Sequence, residues 1–170
     1  MKTIGSIFAT LLLLIIVASA GAQAPAVSTS MNNVVTAYLD VKSALTADDG
    51  AVAESKAKLL YAQIGIVPVK DMSAKQQAIW KSYVDKLSFD SRHISETTVI
   101  DHQREHFASL SKNMYAVLKA LPLNSIAVYW EYCPMKKSSW LSDKPAIENP
   151  YYGKSMLDCG SVKEVLKAAK

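Results

Sequence analysis

Asp101-His102-Gln103-Arg104-Glu105-His106-Phe107-Ala108-Ser109-Leu110-Ser111-Lys112-Asn113-Met114-Tyr115-Ala116-Val117-Leu118-Lys119-Ala120-Leu121, closed by Pro122, is the stretch that decides the fold class of this 170-residue chain. Phe107, Leu110, Met114, Val117 and Leu121 recur at spacings of three and four, the period of one helix face. Pro122 cannot continue such a helix, because it lacks the amide N–H and its ring collides with the preceding turn. Three similar patterns lie upstream. Residues 32–47 align Val34, Tyr38, Val41 and Leu45; residues 51–64 align Ala53, Ala57, Leu60 and Ile64. A third pattern starts near Ser73 and carries Trp80, Tyr83, Val84 and Leu87, and Phe89-Asp90-Ser91 is expected to weaken it. Asp48-Asp49-Gly50 stops the first helix, and either aspartate can cap the second. Gly65 suits a helix C-terminus, and Pro68 marks a loop over 66–71. Helices joined by such short links fold back on one another, which predicts an up-and-down bundle.

The character changes after Pro122. Residues 125–132 alternate Ile126, Val128 and Trp130 with Ala127, Tyr129 and Glu131, a strand pattern. Residues 138–143 are expected to form a second short strand, Asn149-Pro150 is a turn signal, and Gly153 permits unusual φ. Ser161 with Glu164 three residues on reads as a capping box for a last helix over 162–169. The expected fold is therefore mainly α: an up-and-down helical bundle with a small strand-containing, Cys/Met-rich C-terminal segment. Residues 31–170 are expected to form a single domain, with the bundle over 31–121 and the Cys/Met-rich segment over 125–170. Fewer than about 50 residues rarely fold alone, so the second part is not read as a separate domain.

Residues 1–22 read as a signal peptide. Lys2 is followed by an apolar run from Ile7 to Val17 that is too short to span a bilayer, then by small residues suited to cleavage. Residues 23–30, rich in Ala, Pro and Ser, are expected to be a flexible tail. The expected location is exported and periplasmic, with no membrane span in the mature chain. The net charge of +4 is dispersed, with no basic block, so no nucleic-acid partner is expected. Phosphate-binding glycine loops, nucleophile elbows and catalytic triads are absent from the sequence, and the chain is not expected to be an enzyme.

The chain's two cysteines both lie after the bundle, each near a methionine: Tyr132-Cys133-Pro134-Met135 and Met156-Leu157-Asp158-Cys159-Gly160. Thiolates and thioethers together favour a soft ion, Cu(I), over Mg, Ca or Mn. Cys133, Met135, Met156 and Cys159 are therefore the leading candidate ligands and are expected to converge. The other reading of the same residues is a Cys133–Cys159 disulfide, the ordinary state of paired cysteines in an exported protein, with the methionines as core filler. His102 and His106, four apart on one helix face, are weaker metal candidates that His93 could join. The other reading of these three is a polar helix face. Trp130, Tyr132, Trp140, Tyr151 and Tyr152 flank the sulfur motifs, either as core or as a shield over an ion.

Tyr132-Cys133-Pro134-Met135 resembles the start of the small heavy-metal-binding domain of bacterial copper pumps and efflux adaptors, which reads Tyr-x-Cys-Pro-Met-His. Here Lys136 replaces the histidine, and Met156 stands where a further cysteine would be. A broader set of tracts comprises Gln103-Arg104-Glu105-His106-Phe107 with Leu110-Ser111, Cys133-Pro134-Met135, Trp140-Leu141-Ser142, and Asn149-Pro150-Tyr151-Tyr152-Gly153-Lys154-Ser155-Met156 followed by Cys159-Gly160. On these, over nearly the whole mature chain, the protein resembles the bacterial family known as domain of unknown function 3347. Members occur as exported proteins and as extensions of efflux adaptors. The resemblance implies a link to copper or heavy-metal handling, with an efflux adaptor or another exported copper protein as partner. The expected function is that of a soft-metal buffer, carrier or efflux accessory; the rival is a structural or protein-interaction module of an export assembly, stapled by the disulfide.

Overall fold

Phe107, Leu110, Met114 and Val117 form the buried stripe of α4 (Ile100–Ala120), and Gln103, Arg104 and Ser111 are buried with them. A computed structural model describes residues 25–169; the signal-peptide reading of residues 1–22 lies outside the described residues. Before α4 come α1 (Pro25–Thr46), α2 (Gly50–Gly65) and α3 (Ala74–Ile94), each packed on the next in chain order. That neighbour order is the one short links impose on an up-and-down bundle. No helix among the described residues is long and apolar enough to cross a membrane.

Two helix boundaries differ from expectation. The flexible tail expected over 23–30 is helical from Pro25 onward, because Val27 and Met31 continue the stripe of Val34, Tyr38, Val41 and Leu45 into the core. The third helix does not weaken at Phe89-Asp90-Ser91. Ser91 donates its hydroxyl to the Leu87 carbonyl at 2.7 Å, and Leu87, Asp90, Ser91 and Ile94 are all buried. A polar residue that bonds back to its own turn need not break the helix. At its start, Ser73 and Gln76 form a reciprocal capping box.

The chain then forms a three-stranded antiparallel sheet in the order β2-β1-β3, from β1 (Val128–Cys133), β2 (Ser138–Ser142) and β3 (Ser161–Leu166). The helix expected over 162–169 is thus replaced over 161–166 by a strand. Its backbone finds partners on the free edge of β1, with Val128 opposite Leu166 and Tyr132 opposite Ser161. The branched residues Val162 and Val165 suit a pleated surface. Glu164, read as half of a capping box, instead accepts hydrogen bonds from Tyr115 (2.5 Å) and Lys119 (3.0 Å) on α4.

β2 packs on α4, so sheet and bundle share one core. Tyr38 of α1 stacks on Phe107 of α4, hydrogen-bonds the Ser111 hydroxyl at 2.6 Å and accepts the Leu141 amide of β2 at 3.1 Å. Arg104 makes a second tie. Its guanidinium donates to the carbonyls of Pro150 (2.8 Å) and Leu45 (3.0 Å) and to the Asp48 carboxylate (2.6 Å). The other Asp48 oxygen accepts the Lys154 amide at 3.0 Å. These two partners, the amide first, hold the Asp48 carboxyl below its usual range. Gly153 has φ +54, and a Cβ there would collide with the Asp48 carboxylate, so glycine is needed at this position twice over.

Candidate functional site

Cys133 ends β1, and the turn through Pro134 to Lys137 leads directly into β2. Lys137 takes φ 55 to close that turn. Cys159 lies just before β3, and the pairing of Tyr132 with Ser161 carries it back beside Cys133. Both thiols are free and their sulfurs are 3.2 Å apart. Cys133 is buried and Cys159 is half-buried.

Asn149 shapes the loop that delivers Cys159. Its side-chain amide donates to the Cys159 carbonyl at 2.7 Å, and its side-chain oxygen accepts the Tyr151 amide at 2.8 Å. Its own amide reaches the Leu157 carbonyl at 2.8 Å. Gly160 lies against the Trp140 ring, where a Cβ would come within 2.8 Å of Cη2.

The two thiols are electrostatically unlike. Burial raises the Cys133 thiol. Donors outweigh that effect: the Lys136 amide, the Cys159 thiol, the Asn149 amide and the Met135 amide together hold it below its ordinary value. Cys159 moves the other way, raised first by its hydrogen bond to Cys133 and then by burial. The two thiols are therefore biased in opposite directions, with the negative charge favoured on Cys133 over Cys159. A thiolate is the form that attacks disulfides and binds metals.

The structure brings the two thiols together but treats the thioethers differently. Met135 sits on the hairpin turn and is 65% exposed. Met156 follows the 3-10 turn Gly153–Ser155 and is half-buried, its carbonyl accepting the Cys159 amide at 3.3 Å. The aromatics serve mainly as packing. Trp130 stacks on Tyr115 at 4.2 Å, and Trp140 meets Tyr151 edge-on at 5.9 Å. His102 and His106 lie on α4 beside His93 of α3, away from the hairpin in the chain and on the helix that packs against α3. Among the described residues, no three His, Cys, Asp or Glu side chains are already grouped around one ion position.

Two charged features were not legible beforehand. Lys42, buried on α1, pairs with Glu148 at 2.7 Å. Glu131, on the otherwise core-like strand β1, is 0% exposed, and among the described residues neither of its carboxylate oxygens has a hydrogen-bond partner. Burial pushes its carboxyl up to about 7, against the pull of Lys42. The strand alternation put Glu131 on the face opposite Val128 and Trp130, and the register shift between Trp130 and Glu131 that accompanies its burial has no local signal.

A family model described as "Protein of unknown function (DUF3347)" matches residues 34–125, more than half of the chain. The match runs from within α1 to the link before β1 and stops short of both cysteines. No curated protein and no solved structure matches.

Proposed function

The chain belongs to the family of proteins of unknown function DUF3347, and from that premise we propose that it is an exported protein binding a soft metal ion, Cu(I), through Cys133 and Cys159. Met135 and Met156 are the auxiliary thioether ligands in this reading. Its role is that of a buffer, carrier or efflux accessory, and an efflux adaptor or another exported copper protein is its partner.

One observation carries the reading: two free thiols stand 3.2 Å apart, on segments joined by a strand pairing, with donors around Cys133 that hold its thiol below the ordinary value. Soft sulfur donors select Cu(I) over hard cations. With metal–thiolate bonds of about 2.3 Å, a 3.2 Å pair spans the ion only at an acute angle, so loading should open the pair. Cys159, the less buried thiol, is the side free to yield.

The same proximity supports a second reading, a structural Cys133–Cys159 disulfide in an interaction module. A loop of this length would add roughly 3–4 kcal/mol in the chain-entropy account. The two readings separate on Cu(I) titration of the reduced protein against a competing chelator. Cys133→Ser is expected to weaken binding at least 100-fold. Met156→Leu keeps the apolar volume and is expected to cost about tenfold with little change in stability. Because thiols must release protons to bind, affinity should fall as pH falls. Equal, weak uptake by wild type and both variants sinks the copper reading. A large loss of thermal stability on reduction, in its place, would establish the disulfide.

A further inference from the structure

Three imidazoles from two helices meet on the outer face of the α3–α4 pair. His93 and His106 have ring centroids 4.7 Å apart, and His106 and His102 are 4.8 Å apart. The Nδ1 atom of each ring already faces an acceptor. His93 Nδ1 lies 2.9 Å from the Phe89 carbonyl, and His106 Nδ1 lies 3.1 Å from the Asp90 carboxylate. His102 Nδ1 faces the Glu105 carboxylate at 3.6 Å. A carbonyl or carboxylate oxygen only accepts, so a neutral His93 or His106 ring must carry its proton on Nδ1. That leaves the Nε2 lone pair as the donor to an ion. Anchoring of the far ring nitrogen by a carbonyl or carboxylate is the outer-shell arrangement that orients metal-binding histidines.

We propose that His93, His102 and His106 form a second metal site, chemically distinct from the thiol pair, for a borderline divalent cation such as Cu(II), Ni(II) or Zn(II). Imidazole nitrogen suits these ions, whereas a cluster without sulfur gives Cu(I) little preference. Asp90 is the positioning residue: its side chain is 4% exposed and holds His106 from below. The negative charges of Asp90 and Glu105 also favour a cation between the rings.

The side chains do not yet surround one point. His93 and His106 are held by contacts of normal hydrogen-bond length, while His102 is 48% exposed, has only the long contact to Glu105 and stands on the first turns of α4. The exposed His102 side chain is therefore the ring free to turn towards the other two. Phe89 covers one side, its ring 4.1 Å from His93 and 5.8 Å from His106.

The test uses the full chain carrying Cys133→Ser and Cys159→Ser, because free thiols would reduce Cu(II) and bind Zn(II) themselves. Cu(II) alone is added, and binding is read by equilibrium dialysis and electron paramagnetic resonance. One bound equivalent with splitting from imidazole nitrogens is expected. His93→Gln should weaken binding at least tenfold and remove one nitrogen from the spectrum. Asp90→Asn should weaken it about tenfold while all three nitrogens remain, since outer-shell losses run at about 10–100-fold. Circular dichroism checks folding. If either buried-side variant misfolds, the exposed His102→Gln supplies the comparison, with the same loss of one nitrogen expected. No Cu(II) uptake by the thiol-free chain, or uptake with a spectrum unchanged in His93→Gln and His102→Gln, overturns the site. Either outcome leaves the thiol reading standing, because the thiols are absent from the experiment.

Discussion

Arg104→Met should destabilise the protein by about 3–5 kcal/mol, the range for removing one partner of a buried, charge-bearing network. Methionine keeps much of the apolar stem, so the loss reads the guanidinium rather than packing. Three acceptors lose their donor together: the Leu45 carbonyl at the end of α1, the Asp48 carboxylate and the Pro150 carbonyl. Asp48 itself sits at φ 61, a conformation that costs free energy for a non-glycine residue and is held in place by these bonds. Arg104→Lys should recover only part of the loss, because an ammonium cannot fork to three acceptors in different directions. Urea denaturation of the three proteins measures this. A midpoint shift for Arg104→Met worth less than about 1 kcal/mol would show that the tie is incidental.

Glu131→Gln should stabilise the protein at pH 8 and leave it nearly unchanged at pH 4. The sign follows from proton linkage. The folded carboxyl titrates near 7, above its ordinary value of 4.5, so between those values the folded state holds a proton that the unfolded state has lost. Stability therefore falls as pH rises from about 4.5 to about 7, by an amount on the order of 3 kcal/mol, and is flat above that. Glutamine has the shape but not the charge and removes the slope. Melting temperatures of the reduced, metal-free protein across pH 4–8 check it. A wild-type protein that grows more stable over pH 5–7, with the variant tracking it, would contradict the assignment.

The bundle was legible because it is written locally. Stripes at spacings of three and four locate all four helices, and Asp49, one of the two aspartates read as a cap, is found bonded as one. Errors came where a local signal competed with a distant partner. Ser161 and Glu164 have the spacing of a helix cap, yet β3 forms because β1 presents an unpaired edge, which no window of sequence displays. The start of α1 was misread for a different reason. Val27 and Met31 carry the helical spacing, but the surrounding Ala, Pro and Ser suggested a tail. At the candidate site, the half-motifs drew attention to both cysteines. They did not show Met135 standing out on the hairpin turn, nor Asn149 tying the Cys159 loop. Nothing near Arg104 and Gln103 in the sequence marks what they bond. Their real acceptors are carbonyls of α1, α2 and the loops, distant in sequence.

The order of strands in the sheet has a consequence for how the protein is made. β1 is central in space but β3, its second neighbour, comes only after the long loop that carries Met156 and Cys159. During synthesis, Cys133 emerges on a strand with one edge bare. Its thiol then waits for a partner that has not yet appeared. A bare edge invites pairing with another chain, and a waiting thiol invites a mixed disulfide with whatever reaches it first. Residues that close late should therefore be the ones whose loss lowers yield more than it lowers the stability of the protein once folded. Asn149 and Gly160, which bring Cys159 home, are the positions where that difference should be greatest.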